Sequence, residues 1–190
     1  SSDLNAHSCT VTGAVWGNQG RTFDGVDDDI LIPASTALNS ISTALTFEAW
    51  VNPTLFTANR IFYAARDFSV ASNWDFYFAI SGVRVLSFRF WKASVLQDAS
   101  STYVLATGVW SHLVLTFDNV NARYYVNNTL VATIAKAGPI DTNNIFAYIA
   151  AANNSNDFFS GSMGEVIIYS RVLTASEITQ NYLATKWRYS

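Results

Sequence analysis

The sequence predicts an all-β fold, an antiparallel jelly-roll β-sandwich closed by one short C-terminal helix. Three observations predict it. Half of the 190 residues are hydrophobic and 15% aromatic, against only 13% charged. That supplies a large core beneath a surface built from Ser, Thr, Asn and small residues. Short runs rich in β-branched and aromatic residues recur along the chain from about residue 20 to about residue 170, each bounded by Gly, Asn, Asp or Ser. The one well-signalled helix stands at the end, so the strands pair with one another in a sandwich or jelly roll. No Pro/Gly linker, repeat or low-complexity tract divides the chain. One domain over 1–190 is expected, with its core in about 20–187.

The elements follow in order. "RTFDGVDDDILIP" (Arg21 to Pro33) reads as a turn feeding a strand, with Gly25 supplying an unusual φ and Asp24 and Asp27 accepting backbone N–H groups. The competing reading of the same stretch is a calcium site on Asp24, Asp27 and Asp28, because calcium takes six to eight oxygens in irregular geometry. "WDFYFAI" places Trp74, Phe76, Phe78 and Ile80 on one face of a strand. "SG" at 81–82 is expected to turn the chain into "VRVLSFRFW" (Val83 to Trp91). "HLVLTFD" separates Leu113, Leu115 and Phe117 from His112, Val114 and Thr116, and "RYYVNN" (Arg123 to Asn128) ends in a second turn. In "LTASEITQNYLATKW", Thr174 and Glu177 have the spacing of a capping box. Ile178, Tyr182, Leu183 and Trp187 form the stripe expected to pack on the sandwich.

Composition excludes several functions. The net charge is −3 and the basic residues are scattered singly, so no stripe follows a phosphate backbone and no nucleic-acid partner is expected. The longest apolar run, Ile145 to Ala152, is far short of the ~20 residues that span a bilayer, so no membrane insertion is expected. There is no signal-peptide pattern and no initiating Met, as expected of a processed protein or a piece of a longer one. Cys9 is the only cysteine, which rules out an internal disulfide and a cysteine-based zinc site; it reads as a small packed residue.

"FDGVDD" (Phe23 to Asp28), "LTFEAWVNP" (Leu45 to Pro53), "GVWSHLVLTFDN" with "RYYVNNTLVAT" (108–133), and "FFSGSMGEVIIYSRVLTASEITQNYLATKW" (158–187) follow one another in order. Together they resemble the laminin-G-like branch of the concanavalin A-like lectin/glucanase superfamily. The resemblance implies two curved antiparallel sheets, with the concave face or its rim as the usual ligand side. It says little about function, since this fold carries lectins, adhesion domains, glycosidases and lyases. Many relatives hold a structural calcium between the early strands and a late strand reading Gly-x-Ile-Asp-Glu-Val. Here that stretch is "GSMGEV", with Gly164 in place of the Asp.

The superfamily's glycosidases resemble one another in a Glu-x-Asp-x-Glu strand, which supplies the two carboxyls that retaining hydrolysis needs about 5–5.5 Å apart. The three glutamates here are Glu48, Glu165 and Glu177. Glu177 belongs to the helix cap, and the other two have no carboxylate two residues away. Neither His7 nor His112 has a visible partner, so no lyase or hydrolase constellation can be built and no catalytic residue is expected.

Two stretches suit sugars. The loop "NNSND" carries Asn153, Asn154, Asn156 and Asp157, whose paired donors and acceptors match sugar hydroxyls. Trp74, Tyr77 and Trp91, with Arg89 near Trp91, offer rings for the flat face of a pyranose. A solvated turn and a packed core are the plainer readings of these two stretches. The expected function is a non-catalytic carbohydrate-binding domain of a secreted, cell-surface or virion protein. The alternatives are an adhesion module that binds other protein domains or itself, and an enzyme on the same fold.

Overall fold

The period-2 alternation of the sequence becomes strands with one face in a shared core. The computed structural model describes residues 8–54, 60–66, 74–143, 145–152 and 157–190, the side chains of Arg66 and Trp74 excepted. The strands run β1 (Thr10–Thr12), β2 (Val15–Gly17), β3 (Gly20–Asp24) and β4 (Asp29–Ile32), then, after the short helix α1 (Thr36–Asn39), β5 (Leu45–Pro53) and β6 (Arg60–Arg66). They continue through β7 (Trp74–Ile80), β8 (Leu86–Lys92), β9 (Val95–Asp98), β10 (Ser111–Phe117) and β11 (Asn121–Val126). The last are β12 (Thr129–Ala135), β13 (Ala147–Ile149) and β14 (Ser160–Tyr169), followed by helix α2 (Ala175–Thr185) and a 3₁₀ turn (Lys186–Arg188).

Among the described residues the strands form two antiparallel seven-stranded sheets. The first has the order β1-β4-β13-β6-β7-β8-β9, and the second β12-β11-β10-β5-β14-β3-β2. This is the jelly-roll sandwich that the spacing of strand signals implied. Between the sheets lie Phe76, Phe78, Ile80, Phe88 and Phe90 from the first and Phe47, Leu113, Leu115, Phe117 and Tyr124 from the second. Across the two sheets their rings meet edge-on or tilted, as in Phe47 with Phe78 at 5.1 Å and Phe90 with Phe117 at 5.0 Å. Such geometry adds ~0.5–1.5 kcal/mol per pair to the burial itself.

The two sheets differ on their outer faces. β10 is buried on both faces, because α2 lies over Val114 and sets Ile178 against it. The capping box is present: the Thr174 hydroxyl accepts from Glu177 N–H, and the Glu177 carboxylate accepts from Thr174 N–H at 2.8 Å.

Several sequence expectations are corrected here. Leu183 and Trp187 do not pack on the sandwich, being 52% and 72% exposed. The helix tightens to a 3₁₀ turn at Lys186, which swings Trp187 outward and brings Tyr189 inward instead. The turn after β7 is centred on Gly82-Val83, one residue later than "SG", and β8 begins at Leu86; Arg84, at φ +67°, closes the turn through its N–H to Ser81. The Asn127-Asn128 turn stands as read, with both residues at positive φ. Phe76, Phe78 and Ile80 share the core face, while the Trp74 side chain lies outside the described residues.

Candidate functional site

The outer face of the first sheet carries the candidate site. On β8, Leu86, Phe88 and Phe90 point into the core, so the period of two sends Ser87, Arg89 and Trp91 to the outer face. The register then sets Tyr77 opposite Arg89 and Arg89 opposite Asp98, with Ala79 opposite Ser87 one rung along. Adjacent strands lie ~4.8 Å apart and same-face residues ~7 Å apart along a strand, so these rungs frame a shallow depression roughly 10 Å wide. The cavity there, about 300 Å³, is lined by the buried Ala79 and Ser87, by Tyr77, Arg89, Asp98 and Ser100, and by Ser81, Val83 and Val85 of the turn and its flanks.

The polar groups are joined in one chain. Arg89 donates from Nε to Asp98 Oδ2 and from Nη1 to the Tyr77 hydroxyl, both at 2.8 Å. The Ser100 hydroxyl donates to Asp98 Oδ1 and lies 2.7 Å from the Ser87 hydroxyl. Because Ser100 uses its only proton on Asp98, Ser87 must be the donor in that pair, which leaves the Ser87 oxygen its acceptor lone pairs. Partial burial pushes the Asp98 carboxyl upward, but the Ser100 hydroxyl and N–H and Arg89 outweigh it and hold the group below the usual carboxylate range. Burial pushes the Tyr77 phenol up, against the pull of Arg89; the charges of Asp98 and Asp157 push the same way as burial.

The sequence-predicted residues divide as follows. Tyr77, Arg89 and Trp91 share this outer face, with the Tyr77 and Trp91 rings 6.3 Å apart, although Trp91 stands beyond the residues that line the cavity. Asp157 is close enough for its charge to act on Tyr77. Its carbonyl accepts from Ile61 N–H on β6, and it has φ +64°. Asn153, Asn154 and Asn156 lie outside the described residues, but Ala152 just before them packs on Ile61, Ala64, Ala79 and Tyr77 of the same face. Sequence reasoning missed Ser87, Asp98 and Ser100. The alternation Ser87-Arg89 against Leu86-Phe88 carried the signal for one of them; the pairing of β8 with β9 was needed for the other two.

The aspartate stretch forms the expected turn with one exchange of roles. Asp24 Oδ1 accepts from Val26 N–H at 2.7 Å and from Asp27 N–H at 3.4 Å, and Gly25 has φ +81°. The carboxylate that accepts the Asp24 N–H is Asp28, not Asp27, at 2.8 Å. One carboxylate oxygen from each of Asp24, Asp27 and Asp28 falls within 4.8 Å of the others, a donor set that suits a hard divalent cation. Burial, followed by the like charges of Asp24 and Asp27, raises the Asp28 carboxyl. Gly164 is not part of this group. Asp24 pairs with Ser160 and Arg21 with Met163, which carries Gly164 along the ladder to Gly20. There a Cβ on Gly164 would fall 2.3 Å from the Tyr189 hydroxyl, so the glycine makes room for that ring.

His112 does have a partner, contrary to the expectation from sequence. Its Nε2 lies 2.8 Å from Glu48 Oε1, and Asn181 Nδ2 on α2 donates to Glu48 Oε2 at 2.8 Å. Glu48 and His112 stand 64 residues apart, on neighbouring strands β5 and β10, and no local pattern could pair them. Their side chains are 6% and 1% exposed, beneath α2 and beside the stacked rings of Trp50, Tyr182 and Tyr189. A general acid or base must reach the atom it serves, and this pair faces the helix instead.

A search of curated proteins returned no significant match to the sequence. Among solved structures, the binding domain of botulinum neurotoxin serotype G is similar at TM-score 0.76 and 15% identity, over 97% of this chain and 48% of that one. The binding domain of Paraclostridial Mosquitocidal Protein 1 is similar at TM-score 0.76 and 16% identity, over 96% and 49%. Domain 4 of AbnA, an extracellular arabinanase from Geobacillus stearothermophilus solved with arabinotriose, is similar at TM-score 0.71 and 19% identity, over 94% and 91%. The chain thus spans about half the length of the two toxin chains and nearly all of the arabinanase domain. At such identities the likeness is one of fold. The sequence itself goes further: a laminin-G-type family model matches residues 24–179, and the chain belongs to the concanavalin A-like lectin/glucanase superfamily.

Proposed function

We propose that this chain is a non-catalytic carbohydrate-binding domain of a secreted, cell-surface or virion protein, and that its ligand lies on the outer face of the first sheet. The observation that carries the reading is the directed hydrogen-bond chain Ser87–Ser100–Asp98–Arg89–Tyr77 around an open cavity. It leaves acceptor lone pairs on Ser87 and unspent N–H donors on Arg89, both in the lining of one cavity. Sugar hydroxyls are donors and acceptors at once and suit both kinds of group. Val83 and Val85 offer apolar surface for the C–H face of a ring. Two similar structures are titled binding domains, and the arabinanase domain was solved with an oligosaccharide, which fits the same reading. No described helix is long and apolar enough to cross a membrane.

A protein ligand has one observation in its favour. Leu183 and Trp187 stay exposed at the end of α2, and a similar toxin binding domain was solved with rat synaptotagmin II. For calcium, we propose at most one structural ion, on Asp24, Asp27 and Asp28.

A glycan array probed with the whole chain tests the carbohydrate reading, followed by calorimetric titration of the best binder. Arg89→Ala and Ser87→Ala are expected to weaken binding ~10-fold each, the worth of a polar contact in a partly desolvated site. Both variants folding and binding like the parent would move the site elsewhere. Capture of a protein ligand through Trp187, with no glycan bound, would favour the protein reading.

A further inference from the structure

We infer that the cavity on the first sheet selects uncharged glycans and that Asp98 is the residue that turns acidic ones away. The inference rests on the carbohydrate-binding reading and deepens it. Arg89 is the only cation among the described residues lining the cavity, and an unpaired arginine would ordinarily seize a carboxylate or sulfate two-pronged. Here the side-on fork is taken: Nε, half of it, donates to Asp98 Oδ2, and Nη1 spends one of its two protons on Tyr77. The three protons left on Nη1 and Nη2 can still serve hydroxyls, while the charge of the guanidinium is already matched by Asp98.

Charge points the same way. Asp98 already balances Arg89, and its two oxygens are further anchored by the N–H and hydroxyl of Ser100. An anion seeking the side-on fork of Arg89 would have to displace an acid held by three hydrogen bonds. Among the described lining residues Arg89 and Asp98 cancel, and Asp157, outside the lining, adds a negative charge that is felt at Tyr77, so an anion meets no net positive charge there. The whole chain, at −3, offers no compensating field. A unit charge brought within ~6 Å of another at an effective dielectric between protein surface and water costs about a factor of ten in binding, and salt weakens it.

The test uses matched pairs of one glycan backbone, neutral against sialylated, uronate-bearing or sulfated, titrated into the whole chain. The parent is expected to favour the neutral member about tenfold or more, less at high salt. In Asp98→Asn the amide oxygen can still accept from the Ser100 N–H while the charge is gone and the fork of Arg89 is released. The ratio of neutral to acidic affinity is expected to fall at least tenfold. Asp98→Ser serves as a second variant, and melting curves check that each is folded. Equal or tighter binding of acidic members by the parent, or an unchanged ratio in both variants, overturns this inference alone. Failure of every glycan to bind the parent overturns it together with the reading on which it rests.

Discussion

Asp75 carries a charge that its position discourages. It is 3% exposed on β7, and Asn143 Nδ2 donates to its Oδ1 at 2.8 Å. Burial pushes its carboxyl up to about 6, against the pull of Asn143 and with help from the charge of Asp141. The folded state therefore holds a proton that the unfolded chain gives up near 3.8. Stability on this account is greatest below the unfolded value, falls as pH rises toward 6, and is flat above, a loss on the order of 1–3 kcal/mol. Asn at this position can still accept from Asn143 but has no charge to bury. Asp75→Asn is expected to be more stable than the parent at pH 7.5 by that order and little different at pH 4, as read from urea melts at both values. Equal or lower stability at pH 7.5 would show that the carboxylate is already well solvated. Glu177 is the opposite case. Arg171 and the Thr174 cap hold its carboxyl at about 2, so the stability it lends is present above the unfolded value of 4.5 and lost as pH falls toward 2.

At the scale of elements, the C-terminal segment shows what could and could not be read in advance. The capping box was legible because both its residues lie within four positions and act through local backbone geometry. The path beyond it was not, because the helix stripe predicts Trp187 inward. The choice between Trp187 and Tyr189 is made by tertiary contacts: Tyr189 stacks on Trp50 at 4.5 Å, and its hydroxyl accepts from Glu165 N–H at 3.0 Å. The strands were legible for a similar reason, since alternation is local. The cross-strand partners Ser87 with Ser100, Arg89 with Asp98 and Glu48 with His112 depend on register, which one sequence does not display. The Tyr189 lock and Gly164 should behave as one device. Tyr189→Ala is expected to cost about 3 kcal/mol, and Gly164→Ala about 1–3 kcal/mol because its methyl group would displace the ring. The double variant should fall well short of their sum, since both changes remove the same contact. For a chain of this size the larger change lowers Tm by roughly 6–12 °C. Fully additive melts would separate the two residues and dismiss the lock.

At the scale of the whole molecule, the acidic turn occupies a junction. β3 belongs to the second sheet and β4 to the first, so the segment from Asp24 to Asp29 carries the chain from one layer of the sandwich to the other. Asp28 Oδ1 also lies against the Gly13 backbone, which joins β1 of the first sheet to β2 of the second. Two crossings between layers therefore meet at carboxylates that repel one another. A divalent cation held by Asp24, Asp27 and Asp28 would relieve that repulsion and clamp both crossings, so its effect should appear in global unfolding and not only locally. If it binds the folded state alone, calcium at 100 times its dissociation constant adds about 2.7 kcal/mol, or roughly 5–11 °C in Tm. Asp27→Asn separates the ion from the turn: Asp27 lends its carboxylate to the cluster but accepts none of the turn's backbone bonds described above. The variant is expected to be at least as stable as the parent in chelator, because one repelling charge is gone, and to gain less from calcium, because one ligand is gone. The measurement is four melting curves, parent and variant, each in millimolar calcium and in excess chelator. A parent Tm that does not move between the two solutions leaves Asp24 to Asp28 as a turn whose aspartates serve the backbone alone.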